Sequence, residues 1–209
     1  VAVNSSDADA GNAVFAYNSS ASTTLGVGYI GTDGVVGGPA NGFPGAVTIG
    51  STNSNDLITL CTDRVNTDPT QSERIYVAYS SRTASAGLKI KRIKSTLTVE
   101  ATHTVEGSGT EITGASVIIT QAGDLQIIYT MSATNSYDYQ TKGALYDVSA
   151  DSMGSSAIIK RSVGLASKIW EYDGNKYFVC IHDSDLQPTY FLCDTDGLIS
   201  AKILPGTAG

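Results

Sequence analysis

His182-Asp183-Ser184-Asp185 places an imidazole and two carboxylates within four consecutive residues. Side chains of these types ligate divalent metals, or pass a proton between an acid and a base. One histidine in one polar loop falls short of a ligand set, so no catalytic residue, metal or cofactor is assigned to it. Asp194-Thr195-Asp196-Gly197 has the opening of a calcium loop, but the later ligands and the terminal glutamate of that pattern are missing, and it reads as a hairpin turn. His103, in Thr102-His103-Thr104, falls on a polar position of an alternating strand and is expected to be exposed. Lys89, Lys91, Arg92 and Lys94 form the one basic run, of the kind that guards a strand against edge-to-edge pairing.

Composition narrows the class of partner. With 41% hydrophobic residues and only 5 prolines, the chain has enough apolar material for a core. A net charge of -7 disfavours nucleic acid as the main partner, because a phosphate backbone is held by clustered positive charge. No apolar run reaches the roughly 18 residues of a membrane-spanning helix. The start, VAVNSSDADAG, has neither a basic nor an apolar leader pattern and reads as a processed or excised chain. Cys61, Cys180 and Cys193 each sit in an apolar run without metal spacing. They read as buried thiols, with a Cys180–Cys193 bridge across a hairpin as the alternative.

The elements that would position these side chains repeat. Four segments align: NAVFAYNSSASTTLGVGYIGTDGVV from Asn12, RIYVAYSSRTASAGLKIKRIKSTLTV from Arg74, DLQIIYTMSATNSYDYQTKGALYDVSADSM from Asp124 and NKYFVCIHDSDLQPTYFLCDTDGLIS from Asn175. Each has an apolar run ending at Tyr17, Tyr79, Tyr129 or Ile181, then a polar loop, a second alternating run and a turn. A short strand precedes each core run after the first, as in LITLCTD, SVIITQAG and SKIWEYDG, and a further strand follows every unit: GAVTIG, EATHTVEG, SAIIKRSV and SAKILPG. Gly123 and Asp173-Gly174 stand where a hairpin needs positive φ. Sustained helical periodicity is absent.

The prediction is therefore an all-β chain and, more finely, a β-propeller built of four-stranded antiparallel blades. Four blades are visible, at roughly 1–50, 56–107, 112–162 and 165–206, within a single domain spanning 1–209 that is either a whole propeller or part of a larger ring. Apolar residues on both sides of the second strand, as in VFAY, YVAY and YFVCI, require packing on both faces. A β-sandwich and a parallel β-helix are the alternative architectures. Sialidase-like propellers carry a repeated Ser-x-Asp-x-Gly-x-x-Trp box and an arginine cluster, whereas this chain has one Trp and dispersed arginines.

In such blades the loops between second and third strands emerge on one face. That face gathers Asn18, Arg82, Asn135, Tyr137, Asp138, Tyr139, His182, Asp183 and Asp185. Tyrosines among short polar side chains suit a protein or glycan surface, and Arg82, Tyr137, Asp138, Tyr139, His182, Asp183 and Asp185 are the candidate binding residues.

The GDLQIIYT and RIYVAYS runs, with Asp-Gly turns and a Ser/Thr/Gly-rich acidic composition, resemble the propeller domains of bacteriophage tail nozzle and tail fibre proteins. The resemblance implies a non-enzymatic structural or adhesive protein, located in a virion or outside the cell, oligomeric, and bound to protein partners or a surface glycan. The alternative is an extracellular glycan-acting propeller enzyme or lectin whose site lies partly outside this chain.

Overall fold

In the computed structural model the backbone is described for residues 2–3, 13–19, 24–30, 36, 46–51, 57–62, 74–80, 86–94, 96–120, 123–133, 139–161, 163–173, 176–183, 188–194 and 199–203, with side chains from Val14 to Ile159. The described residues form strands and turns and no helix, hence no helix long and apolar enough to cross a membrane.

Four sheets follow one another along the chain. The first holds β1 (Ala2–Val3), β2 (Ala13–Ser19), β3 (Thr24–Ile30) and β4 (Val47–Ser51), and the second β5 (Leu57–Thr62), β6 (Arg74–Ser80), β7 (Leu88–Lys94) and β8 (Val99–Glu106). The third holds β9 (Thr110–Ile119), β10 (Leu125–Ala133) and β11 (Tyr139–Asp147), with its fourth place shared by β12 (Ser152–Met153) and β13 (Ala157–Arg161), which both pair with β11. The fourth holds β14 (Val163–Asp173), β15 (Lys176–Asp183), β16 (Pro188–Asp194) and β17 (Ile199–Ile203). Every pairing is antiparallel between strands adjacent in the meander. Tyr17, Tyr79, Tyr129 and Ile181 all lie in the second strand of their own sheet.

Side-chain alternation along those second strands stacks the sheets. In β6, Ile75 and Val77 join Val14, Leu25, Val27, Tyr29 and Ile49 of the first sheet in one apolar cluster. Tyr76 and Ala78, on the opposite face of the same strand, join Val117, Ile127, Tyr129 and Tyr146 of the third sheet in another. Successive strand residues point to opposite faces, so the run Ile75–Ala78 is buried throughout only because a sheet lies on each side of it. Full burial of each large apolar side chain contributes about 1.5–3 kcal/mol.

The turns conform to the same packing. Gly123 has φ +92°, as its place in the β9–β10 hairpin requires; Gly174 lies outside the described residues. Leu97 has φ +62°, a conformation that costs a residue with a Cβ about 1–2 kcal/mol. Its side chain is buried in the seam between the first and second sheets, and that burial offsets the cost.

One expectation changes, and one alternative drops out. The basic run lies in β7, which is flanked by β6 and β8 and so is not a sheet edge. Lys91 instead lies 5.7 Å from the ring centre of Tyr79 and donates to Thr102 Oγ1 at 3.1 Å, and burial, then Lys89, lowers its pKa. Across the β15–β16 hairpin Cys180 is in register with Tyr190 and Cys193 with Tyr177, so the two cysteines do not face each other. A bridge needs Cα atoms within about 7 Å. Cys61 is a half-buried thiol packed against the seam between the second and third sheets.

Ile127→Ala, in a fully buried position of β10, is expected to cost about 2–5 kcal/mol in urea unfolding. Thr104→Ala, exposed on β8, should stay within about 0.5 kcal/mol. A second pair separates backbone conformation from space. Gly87 and Gly109 both have positive φ, but a Cβ at Gly87 would lie 2.1 Å from the Glu106 carbonyl oxygen while one at Gly109 would meet nothing within 4 Å. Gly109→Ala should cost about 1–2 kcal/mol and Gly87→Ala clearly more.

Candidate functional site

Polar chemistry concentrates where the second sheet meets the third. Strand β8 brings Glu100, His103 and Glu106, β7 brings Arg92, β6 brings Arg74, and the third sheet answers with Tyr129, Lys142, Tyr146 and the turn residue Asp151. Three anionic centres organise these groups.

Glu106 Oε2 accepts from Tyr129 Oη at 2.8 Å and from Lys142 Nζ at 2.7 Å. Burial raises the Glu106 pKa, but the Lys142 and Tyr129 hydrogen bonds outweigh it, and the net shift is downward. The Tyr129 hydroxyl is driven the other way, first by burial, so it stays a proton donor.

Asp151 is the second centre. Its carboxylate accepts from the Tyr146 hydroxyl and lies 2.9 Å from His103 Nε2 and 3.5 Å from Arg92 Nη1. The Tyr146 hydrogen bond is the main cause of a lowered Asp151 pKa, and burial, then the Asp151 bond, pushes Tyr146 up to about 12. Asp151 has φ +52°, a left-handed conformation that aspartate tolerates better than most residues. The Asp147 carboxylate holds that turn by accepting from Ala150 N and Ser149 Oγ, both at 2.8 Å.

Arg92 joins the second centre to the third. Its Nη1 donates to the Val148 carbonyl at 3.2 Å, while its Nε lies 3.2 Å from Glu100 Oε2. Arg74 Nε donates to the same Glu100 oxygen at 2.6 Å, and Lys94 Nζ is 3.7 Å from the other. Burial raises the Glu100 pKa, and the three cations reverse it.

The arrangement can hold sheets together and fix their relative register. Its acids are stabilised as anions, its tyrosines as neutral donors, and its cations are spent on carboxylates and a carbonyl. His103 and Asp151 have the makings of an acid–base pair, but the second acidic or nucleophilic group beside them, Tyr146, is shifted away from ionisation.

Of the side chains singled out in the sequence, His103, Arg92 and Lys94 belong to this network. Arg82, Tyr137, Asp138 and Asp185 fall outside the described residues, as does Asn135. Tyr139 is half-buried at the start of β11, in register with Ser132. His182 and Asp183 were expected to begin a loop; the backbone ladder runs through them, pairing His182 with Pro188 and Asp183 with Val163, and their side chains are outside the description. His103 was expected to be exposed, yet its side chain is 22% accessible and its ring stands 5.1 Å from that of Tyr146. Its partner Asp151 is 48 residues away, so only the meeting of two sheets brings them together. No protein-family model matches the chain, and no curated protein matches it either.

Glu106, Glu100 and Asp151 all have folded pKa values below their ordinary ones of 4.5 and 3.8. The unfolded chain therefore takes up protons first as pH falls, so the stability these groups contribute is complete above about pH 5 and is lost toward the lower folded values. Glu106→Gln should flatten that acid limb in pH-dependent thermal melts and cost about 1.5–3 kcal/mol at neutral pH. For Tyr146 the sign reverses: its contribution is complete below pH 10 and is lost as pH rises toward about 12. Tyr146→Phe should shrink the alkaline limb and remove one tyrosine from the late-titrating tyrosinate absorbance, leaving the part that belongs to Tyr129.

Proposed function

We propose that the chain is a non-enzymatic structural or interaction β-propeller, a component of a virion such as a phage tail or a surface adhesin, working in a virion or outside the cell. The observation that carries this reading is the series of four successive meander sheets, the second of which has apolar neighbours on both faces. Blades set around an axis cover both faces of every sheet in this way. The polar groups at the seam of the second and third sheets support a structural role as well, since they bond across sheets and to one another. The loops between second and third strands, with Arg82, Tyr137, Asp138 and Asp185, and the strand ends that lead into them, with Tyr139, His182 and Asp183, form the proposed contact face for a protein partner or surface glycan.

The test has two arms. Mass spectrometry of purified virions should find peptides of this chain, and incubation with a panel of glycans should give no turnover; glycan cleavage would overturn the reading in favour of an enzyme. In capture assays with the virion partner, Tyr137→Ala or Tyr139→Ala should weaken binding more than Asp138→Ala, because buried aromatic contacts dominate interfaces and exposed charges are screened. His103→Gln should lower the melting temperature and leave capture unchanged.

A further inference from the structure

Phe15 and Tyr17 share the face of the first sheet that turns away from the second. Their neighbours in β2, Val14 and Ala16, pack into the apolar cluster between those two sheets, whereas neither ring belongs to it or to the cluster beyond. Across the ladder Phe15 is in register with Gly28 and Tyr17 with Gly26. A Cβ at Gly26 would lie 2.3 Å from the Tyr17 ring, and one at Gly28 would lie 2.8 Å from the Phe15 ring. Each ring therefore rests on bare backbone, and the two centroids are 5.8 Å apart at a 31° tilt. The result is a low aromatic surface instead of a ridge of side chains.

The repeat shows what such a face is for. The positions of Phe15 and Tyr17 are held by Val77 and Tyr79 in β6 and by Ile127 and Tyr129 in β10. Val77 belongs to, and Tyr79 packs against, the cluster shared with the first sheet; Ile127 and Tyr129 belong to the cluster shared with the second. In both sheets this face takes the preceding sheet. At the far end of the series β14 packs on β9, β10 and β11, and among the described residues no strand of the fourth sheet makes more than marginal contact with the first. Among those residues, one end of the stack therefore presents the accepting face, and the other end presents the sheet that would continue the series.

We propose that the Phe15–Tyr17 face of the first sheet docks the fourth sheet of a second copy of this chain, so that two copies join head to tail at two equivalent seams. The contact repeats between copies the seam that each sheet already makes with its predecessor. It is a heterologous contact, which closes when rotation brings the free ends together. Closure with two copies gives a ring of twice the four sheets, inside the usual range of about four to eight blades, and this step rests on the propeller reading above.

The experiment pairs solution mass with cross-linking. Light scattering of the whole chain should give a dimer, and Phe15→Ala or Tyr17→Ala should weaken self-association by about tenfold or more while circular dichroism stays that of a β protein. Independently, p-benzoylphenylalanine at position 17, in a mixture of isotopically light and heavy chains, should cross-link to residues 163–203 of the other copy. Cross-links to 163–203 within one chain would overturn the proposal while leaving a propeller, because the four sheets would then close on themselves. A monomer with no cross-link to that sheet would overturn it as well. Failure of the propeller reading would show separately, as a crystal structure whose sheets do not surround an axis.

Discussion

A strand that is apolar on both faces must be covered on both, and the packing of this chain follows from that requirement. In the run Ile75–Ala78 every side chain is buried, and alternation sends two of them to each side. A single meander cannot satisfy such a strand, since its ladder covers only the edges. Sheets must therefore lie against one another, and each internal sheet is committed to two neighbours. The buried but conformationally strained Leu97 shows the strength of this requirement, for its unfavourable φ is kept because its side chain completes a seam.

Apolar stacking leaves the relative position of two sheets loosely specified, because hydrophobic burial has no direction. The polar groups between the second and third sheets supply the direction. Glu106, Asp151 and Glu100 each collect donors at fixed distances, and the bonds of the first two cross from one sheet to the other. Their shifted pKa values have two physical causes. Hydrogen bonds from cations and hydroxyls hold the carboxylates as anions, against burial at Glu106 and at the exposed Asp151 alike, while burial keeps the protons on the tyrosine hydroxyls. A histidine, an aspartate and a tyrosine in contact need not be a reaction centre; these three bind two sheets.

The first sheet meets the same geometry with different residues. Where β7 places Lys91 beside Tyr79, β3 has glycine, and the aromatic rings of β2 lie down on the backbone. Rings on glycine give a smooth surface that another sheet can approach. The second sheet fills the corresponding space with the first sheet's own side chains and with a lysine whose lowered pKa records its burial.

The sequence by itself determined the strands and their order. Period-two alternation and apolar runs reflect local backbone geometry, and the four aligned segments carry their marker residues into the second strand of each sheet. Gly123 was legible for the same reason, since positive φ is a local demand. Loop boundaries were less legible: His182 and Asp183 are polar and read as loop, yet the ladder extends through them because hydrogen bonding between backbones is indifferent to side-chain polarity. The candidate site was not legible at all. His103 and Asp151 each look like ordinary polar surface positions, and Lys91 and Arg92 like the guards of an edge. Only the tertiary structure decided that β7 is interior and that β8 meets the turn after β11. Pairing of side chains 48 residues apart depends on how two sheets stack, and nothing in either strand alone encodes which face its neighbour will cover.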